Sequence, residues 1–333
     1  MPATPLSPDF TGVVAASLTP FTAAGAVDGD AVAGLVEFLL EGGVAGLMIG
    51  GTTGEFIALT TEERCALLEA FVKAVQGRVP VIAHIGHVHL VQAQELARRA
   101  ADAGANALTA LTPYYHRTSA AAIEATMRDL ARTVPQLPFL VYNYPDAAGN
   151  PLPYALFEAL LDEPNLAGVK LSVGSLDEIR PYTAVLDRVC VLSGNDGLMP
   201  DVVALGATAV VSGNAAAFPD LVSELLRGLL DERSSSPKGV SAPMRSSSPK
   251  GVSAPMRSSS PNAPLERASA DASGLLAALS AASRGGSPDR LRELLRRRGI
   301  DIGPGRVRTY VPADVDPAED ERLFAVLSHA VGR

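Results

Sequence analysis

Short β-branched runs alternate with longer amphipathic runs eight times within the first 232 residues of this chain. The predicted strands are VVAASLTP, AGLMIGG, PVIAHIG, ALTALTP, PFLVYNYP, LAGVKLSV, VCVLSGND and TAVVSGNA. A helical pattern follows each of them, and strict alternation of this kind indicates parallel strands with right-handed crossovers. Eight such units predict an α/β fold, a (β/α)8 TIM barrel, for which about 250 residues is typical. A doubly wound open sheet is the alternative, but no GxGxxG follows the first strand.

A change in composition separates the predicted barrel, residues 1–232, from the rest of the chain. The segment RSSSPKGVSAPM at 233–244 is repeated directly, and a third copy begins after the second. Because this Ser/Pro/Gly content cannot build a core, residues 233–264 are predicted to be a disordered insertion. Further helical patterns predict a small C-terminal helical appendage over residues 265–333.

Composition and charge narrow the class of protein. The chain is 47% hydrophobic and 19% charged, which is typical of a globular protein with a large core. Its net charge of -8 argues against nucleic-acid partners and against an anionic membrane surface. Cys65 and Cys190 lack metal-ligand spacing, and no apolar stretch is long enough to span a bilayer. Since the first residues do not resemble a signal peptide, we expect a cytoplasmic protein without nucleic-acid or membrane partners.

One predicted strand, LAGVKLSV, carries a lysine, Lys170, in the middle of an apolar run. Strands buried on both faces are almost continuously hydrophobic, and lysine is among the residues least often buried. One interpretation is an edge strand from which the lysine extends its amine to solvent. The other is a desolvated lysine that stays partly neutral and attacks a carbonyl group.

Polar side chains also follow several other predicted strands, at the end where TIM barrels carry their chemistry. The second strand runs into GGTTGEF, whose glycines and threonines would suit a carboxylate or phosphate, or form an ordinary tight turn. The fifth strand ends with Tyr142 and Tyr144, the fourth leads to TPYYHR, and the seventh ends with SGND. These strand ends would bring together an amine, phenols and the anion-binding loop GGTTGEF. Such a set predicts a Schiff-base site, in which lysine attacks a ketone and a tyrosine moves protons.

Four motifs, GTTGE, YNYP, GVK and SGND, occur in this order on these strands. With them the chain resembles the dihydrodipicolinate synthase / N-acetylneuraminate lyase superfamily of pyruvate aldolases over most of residues 10–232. The resemblance implies that Lys170 forms the imine and that Tyr142 shuttles protons. It also implies that Thr52 and Thr53 bind the carboxylate, with Thr52 linking Tyr142 into a hydroxyl relay.

The resemblance extends to the surroundings of this site. Tyr115 matches the phenol that a neighbouring subunit lends to the relay in the synthases, and a homotetramer, a dimer of dimers, is implied. The implied partners are small molecules, a keto acid such as pyruvate and an aldehyde, and the imine on Lys170 needs no cofactor and no metal. The other predicted substrate-binding residues are Gly51, Tyr144, Ser172, Gly194 and Val211. Ser172 is interpreted equally well as an ordinary strand residue.

Departures from the family pattern bear on the substrate. Ala147 stands where dihydrodipicolinate synthases carry an arginine that grips the carboxylate of the aldehyde, and alanine makes no such pair. YNYPDAAG is more similar to the 2-keto-3-deoxygluconate aldolases. AHIG is similar to the neuraminate lyases, but Gly197 stands where those lyases have a glutamate, and Leu171 replaces a polar or acidic residue of many relatives. Asp196 would contact a polyol substrate or cap the following helix.

These observations predict a class I, lysine Schiff-base lyase that cleaves or forms a 2-keto-3-deoxy sugar acid from pyruvate and an aldehyde. Three alternatives stay open: a 4-hydroxy-tetrahydrodipicolinate synthase, a dehydratase that uses the same imine, and a non-catalytic keto-acid-binding relative. A metal-dependent aldolase is a further alternative, because HIGHVH places three histidines close together. No Cys or carboxylate ligands follow those histidines, so we expect no metal site.

Overall fold

The computed structural model describes residues 10–235, 263–309 and 316–332. Its strands are β1 (Gly12–Ala16), β2 (Gly46–Ile49), β3 (Val81–His84), β4 (Ala107–Leu111), β5 (Phe139–Asn143), β6 (Leu166–Leu171), β7 (Cys190–Ser193) and β8 (Ala209–Ser212). Each strand pairs in parallel with its neighbours along the chain, and β8 pairs with β1, so that the sheet closes into a barrel. The predicted TIM barrel is confirmed, and the open-sheet alternative is wrong.

Helices surround this barrel and continue beyond it. They are α1 (Ala31–Glu41), α2 (Thr61–Val75), α3 (Leu90–Asp102), α4 (Ala120–Thr133), α5 (Pro145–Ala148), α6 (Tyr154–Ala159), α7 (Leu176–Ile179), α8 (Met199–Ala204), α9 (Pro219–Ser235), α10 (Ala263–Ser283), α11 (Pro288–Arg297) and α12 (Pro317–Val331). Within the described ranges, none of these helices is long and apolar enough to cross a membrane.

Side chains alternate along each strand between the barrel interior and the layer of helices outside it. On β8, Val211 belongs to the interior cluster and Val210 to the outer one. On β6, Val169 and Leu171 pack in the outer cluster, so Lys170 between them points into the barrel. Because both faces are buried, the strands read as almost continuous apolar runs.

Local sequence explains where several helices begin and end. Thr60 and Glu63 form a capping box at the start of α2: the Thr60 hydroxyl accepts from the Glu63 N–H, and the Glu63 carboxylate accepts from the Thr60 N–H. After α3, Gly104 adopts a φ of +90°, the left-handed conformation that favours glycine. Helix α3 therefore ends just before Gly104.

The C-terminal helices pack against one flank of the barrel, as predicted. Helix α10 contacts α9 and α12, and α11 is joined to the barrel by paired hydrogen bonds between Arg298 and Asp220. Helix α9 extends to Ser235, so it passes the predicted boundary at residue 232. Residues 236–262, most of the predicted insertion, lie outside the described residues, and their predicted disorder stays a prediction.

Candidate active site

Lys170 lies inside the barrel, in the middle of its wall. Strand β6 pairs with β5 on one side and with β7 on the other, so the edge-strand interpretation of this lysine is wrong. The residue is only 6% exposed. Its Nζ lies 4.0 Å from the centroid of the Tyr142 ring and 3.9 Å from the sulfur of Met48. An aromatic face and a thioether thus surround an amine that reaches into the interior.

Tyr142 joins this amine to a cluster of hydroxyl groups. Its OH lies 3.3 Å from the Thr52 hydroxyl and accepts a hydrogen bond of 3.4 Å from the Ser172 hydroxyl. Burial disfavours the phenolate, but the positive charge of Lys170 and the hydrogen bonds of Ser172 and Thr52 outweigh it and lower the pKa of Tyr142. A phenol whose ionisation is favoured in this way is suited to accepting and returning protons.

The GGTTGEF segment forms a tight loop at the carboxyl end of β2. Gly50 begins it at a φ of +65°, and the Gly54 carbonyl accepts a 2.7 Å hydrogen bond from the Thr19 hydroxyl. Thr52 and Thr53 line the barrel cavity. Gly51 is buried behind them, where a Cβ would lie 3.0 Å from the Met48 methyl, and it is not at the cavity wall. Its predicted contact with substrate stays a prediction.

A cavity of about 350 Å³ opens above Lys170 at the carboxyl ends of the strands. The predicted residues that line it are Thr52, Thr53, Tyr142, Tyr144, Lys170, Ser172, Gly194 and Val211. Tyr144 stacks on Tyr142 with ring centroids 6.2 Å apart and an interplanar angle of 20°. Gly194 lies so close to the centre that a Cβ would come 2.2 Å from the Ser172 hydroxyl and 2.9 Å from Lys170 Cε. Only glycine leaves room there for both side chains.

Two buried oxygens of residues in the cavity wall have no hydrogen-bond partner among the described residues. Asp196 accepts from the Ser212 hydroxyl at 2.8 Å and from the Asn214 amide at 2.7 Å, both through Oδ2. Its Oδ1 and the Oδ1 of Asn214 are unpaired, although both residues line the cavity. Burial raises the pKa of Asp196. Asn195, not Asp196, caps the following turn, so the capping interpretation of Asp196 is wrong.

Sequence reasoning missed Asn214 and the contribution of the C-terminal helices. Asn214 follows β8 in the segment SGNA, and a polar residue at that strand end was the available sign. Ser280, Gly285 and Gly286, at the end of α10 and in the turn after it, also line the cavity. The hydrophobic pattern of the sequence could not place those residues at the barrel site, because their position at the cavity depends on how α10 packs against the barrel.

The cavity mouth lacks the group that would grip a second carboxylate. Among the described residues that line it, the basic side chain is Lys170, and none is an arginine. Asp146 reaches the mouth from α5, and Ala147 beside it is exposed. The cavity mouth is therefore rich in hydrogen-bond acceptors and includes the carboxylate of Asp146.

Tyr115 does not reach this cavity within its own chain. It is 86% exposed and has a φ of +76°, which is strained for a residue other than glycine. Its ring contacts only the neighbouring His116 ring among the aromatic contacts described. The loan of this phenol to a second subunit stays a prediction.

The histidines of HIGHVH do not converge. His84 is buried, its Nε2 accepts from the Leu111 N–H, and burial holds its pKa well below the usual range. His87 lies in the following loop, where its Nδ1 accepts from the His89 N–H. In the described ranges, no group of three or more His, Cys, Asp or Glu side chains is arranged to hold a metal ion.

Residues 9–234 match the dihydrodipicolinate synthetase family. A 4-hydroxy-tetrahydrodipicolinate synthase of Synechococcus sp. (strain CC9605) is 37% identical over 195 residues, which cover 58% of this chain and 65% of that protein. The chain thus spans somewhat less than two thirds of the length of that curated relative.

Solved structures share the whole fold at lower identity. A prophage protein of the dihydrodipicolinic acid synthase family from E. coli K12, solved in complex with pyruvate, has a TM-score of 0.79 at 24% identity, over 97% of this chain and 99% of that chain. A sialic acid aldolase of Ruminococcus gnavus has a TM-score of 0.77 at 23% identity, over 97% of each chain.

Proposed function

Because this chain belongs to the dihydrodipicolinate synthetase family, we propose that it is a class I aldolase that joins pyruvate to an aldehyde, or cleaves the product, through an imine on Lys170. The observation that carries the proposal is the position of the Lys170 amine. It is buried in the barrel interior 4.0 Å from the Tyr142 ring, and the Tyr142 hydroxyl lies 3.3 Å from that of Thr52. An amine beside a hydroxyl relay has the parts that imine chemistry requires.

The proposed reaction in the cleavage direction begins when the Lys170 amine attacks the C2 carbonyl of a keto acid. One proton passes from the lysine nitrogen to the carbonyl oxygen and Tyr142 supplies a second, so that the oxygen leaves as water and an iminium forms. The resulting phenolate takes the proton of the C4 hydroxyl. The C3–C4 bond then breaks, its electron pair moves to the iminium to give an enamine, and an aldehyde leaves. Tyr142 returns the proton to C3, water hydrolyses the iminium to pyruvate and free lysine, and the proton released in this step returns to the Tyr142 phenolate.

Thr52 and Thr53 would hold the C1 carboxylate during these steps. Both line the cavity on the loop that follows β2, and a tight loop of this kind can offer backbone N–H groups to an anion. Thr52 would also pass protons between Tyr142 and the second phenol of the relay. Tyr115, exposed and held at a positive φ, is proposed to supply that phenol to the neighbouring subunit of a homotetramer. Ile57, Val88 and Val91 are exposed apolar side chains, and they support an interface between two copies of the chain.

We propose a hydroxylated aldehyde, and thus a 2-keto-3-deoxy sugar acid, as the substrate class. The unpaired oxygens of Asp196 and Asn214 would accept hydrogen bonds from its hydroxyl groups. An aldehyde with its own carboxylate fits poorly, because no described arginine lines the cavity and Asp146 would repel it. The 37% identity to a 4-hydroxy-tetrahydrodipicolinate synthase favours that activity as the second candidate.

Borohydride reduction in the presence of pyruvate tests the imine. The chain contains four lysines, Lys73, Lys170, Lys238 and Lys250, so peptide mass spectrometry assigns an adduct without ambiguity. We expect one pyruvyl adduct, on Lys170, that Lys170→Arg abolishes and the matched Lys73→Arg retains. Absence of an adduct from folded wild-type protein would refute the aldolase and favour a non-catalytic keto-acid-binding protein.

An aldehyde panel then separates the two candidate activities. Retro-aldol cleavage of 2-keto-3-deoxy sugar acids, with release of pyruvate, supports the sugar-acid aldolase. Condensation of pyruvate with an aldehyde that carries its own carboxylate, without cleavage of the sugar acids, supports the synthase instead. Loss of water from a sugar acid without C–C cleavage would identify a dehydratase.

A further inference from the structure

Glu55, the last residue of the GTTGE motif, is a buried carboxylate next to the proposed pyruvate-binding loop. It is 2% exposed and adopts a φ of +57°, which is a strained conformation for glutamate. Its N–H donates to the Thr52 carbonyl at 3.0 Å. This hydrogen bond couples the conformation of Thr52 and Thr53 directly to that of Glu55. A strained, buried residue persists only where its surroundings hold it.

The groups that hold Glu55 come from the C-terminal appendage. Arg292, on α11, donates to Glu55 Oε1 at 2.6 Å. The backbone N–H groups of Arg306 and Val307 donate to Oε2 at 2.8 and 2.7 Å. Both carboxylate oxygens are therefore bound by residues more than 230 positions away in the sequence.

Arg292 is itself fixed in place by the barrel. It is 6% exposed, donates to the Thr19 carbonyl at 2.7 Å, and its guanidinium lies 5.1 Å from the centroid of the Phe21 ring. Thr19 in turn donates to the Gly54 carbonyl. Removing one partner of such a pair leaves the other charge buried and unpaired, which is strongly unfavourable. One hydrogen-bonded network therefore surrounds the end of the GGTTGEF loop, and it includes Arg292, Thr19 and Glu55.

We infer that Arg292 and Glu55 are positioning residues for pyruvate: the appendage, through this ion pair, sets the loop conformation in which Thr52 and Thr53 receive the C1 carboxylate. Neither residue lines the cavity, so their effect passes through the loop. The inference rests on the proposed function, because it assigns a cause to the affinity of the same site for pyruvate. It gives the helices after the insertion a role in substrate binding as well as in stability.

The test measures borohydride trapping of pyruvate as a function of pyruvate concentration. For Arg292→Met, we expect the half-saturating concentration to rise about tenfold or more, because the loop loses a charge-assisted hydrogen bond. The trapping rate at saturating pyruvate should change less than about twofold, since Lys170 and Tyr142 are untouched. Arg292→Lys, which keeps the charge, should restore part of the affinity.

Arg298→Met is the matched control. It removes another arginine–carboxylate pair between α11 and the barrel, that of Arg298 with Asp220, which does not touch residues 50–56. We expect it to lower thermal stability and leave the half-saturating concentration unchanged. If Arg292→Met does not fold, Glu55→Gln, which keeps the side-chain shape, should show the same rise.

Three outcomes would overturn the inference. An unchanged half-saturating concentration in Arg292→Met, or in Glu55→Gln, refutes it while wild-type trapping leaves the proposed function intact. An equal rise in Arg298→Met refutes it as well, because general loosening of the appendage would then be sufficient. Absence of trapping in wild-type protein refutes the proposed function together with this inference.

Discussion

Lys170 and Tyr142 are direct partners in the parallel pairing of β5 and β6, and the lysine amine lies over the tyrosine ring 4.0 Å from its centroid. The pairing register therefore sets the relation between the proposed nucleophile and the proposed proton carrier. A shift of either strand by one residue would turn one of the two side chains to the outer face of the barrel. The closed sheet on both sides of β6 prevents such a shift.

Replacing the Tyr142 hydroxyl should separate imine formation from catalysis. We expect Tyr142→Phe to lower kcat for keto-acid cleavage by roughly 10²–10⁴-fold, the usual contribution of general acid–base catalysis, while slow pyruvate trapping on Lys170 persists. Steady-state pyruvate release and borohydride trapping measure the two steps. Tyr182→Phe is the control, because that buried phenol donates to the Leu152 carbonyl and lies outside the cavity. Equal loss of kcat in both variants would contradict the assigned role.

Filling the space at Gly194 should block the amine. We expect Gly194→Ala to slow pyruvate trapping about tenfold or more, since its Cβ would come 2.9 Å from Lys170 Cε and 2.2 Å from the Ser172 hydroxyl. Gly197→Ala is the matched control in the same loop, where the nearest described atom is Asn195 Oδ1 at 3.3 Å. Trapping at the wild-type rate in Gly194→Ala would show that the cavity floor rearranges freely.

The oxygen acceptors of Asp196 and Asn214 in the cavity wall should affect binding of the aldehyde half of the substrate and leave binding of pyruvate unchanged. We expect Asp196→Ala to raise KM for a 2-keto-3-deoxy sugar acid about tenfold, the cost of one lost hydrogen bond to a charged group. The half-saturating concentration for pyruvate trapping should stay within about twofold of wild type. Asp201→Ala, an exposed site on α8, controls for the change in charge. A parallel loss of pyruvate affinity would place Asp196 in the pyruvate site instead.

Stability should depend on pH through Glu63. Its hydrogen bonds with Arg306, aided by the Thr60 N–H, lower the pKa of Glu63 from 4.5 to about 2. Because the folded state holds this carboxylate ionised, its contribution is complete above pH 4.5 and is lost as the pH falls toward 2. We expect Glu63→Gln to cost about 1 kcal/mol at neutral pH.

The pH series tests the sign of that effect. Chemical denaturation of wild-type and Glu63→Gln protein at several pH values gives the difference in unfolding free energy. We expect this difference to shrink between pH 4.5 and about 2. Other carboxylates titrate in both proteins and cancel in the comparison. A difference that is constant or grows with acidity would contradict the assignment.

The alternation of apolar runs was sufficient to predict the barrel, because parallel strands buried on both faces and amphipathic helices leave distinct patterns in a sequence. It also predicted that polar strand ends meet at one rim, which brings Thr52, Tyr142 and Lys170 together. These residues are near in space because the closed, regular topology makes the ends of neighbouring strands converge.

Contacts that depend on packing angle rather than on periodicity were decided only by the tertiary structure. The sequence by itself determined the order of strands, the rim at which the polar strand ends meet and the family motifs, since each of these follows from local pattern. The interior direction of Lys170 was decided by the closed sheet, which places β6 between β5 and β7. The sequence contained no sign that Arg292 would reach Glu55, that Ser280 and Gly286 would line the cavity, or that Asp196 would pair with Asn214. Arg292, Ser280 and Gly286 lie far along the chain from the residues they approach, and only the docking of α10 and α11 on the closed barrel brings them there. The closure of the barrel brings Asp196 and Asn214 together, because these residues follow the neighbouring strands β7 and β8.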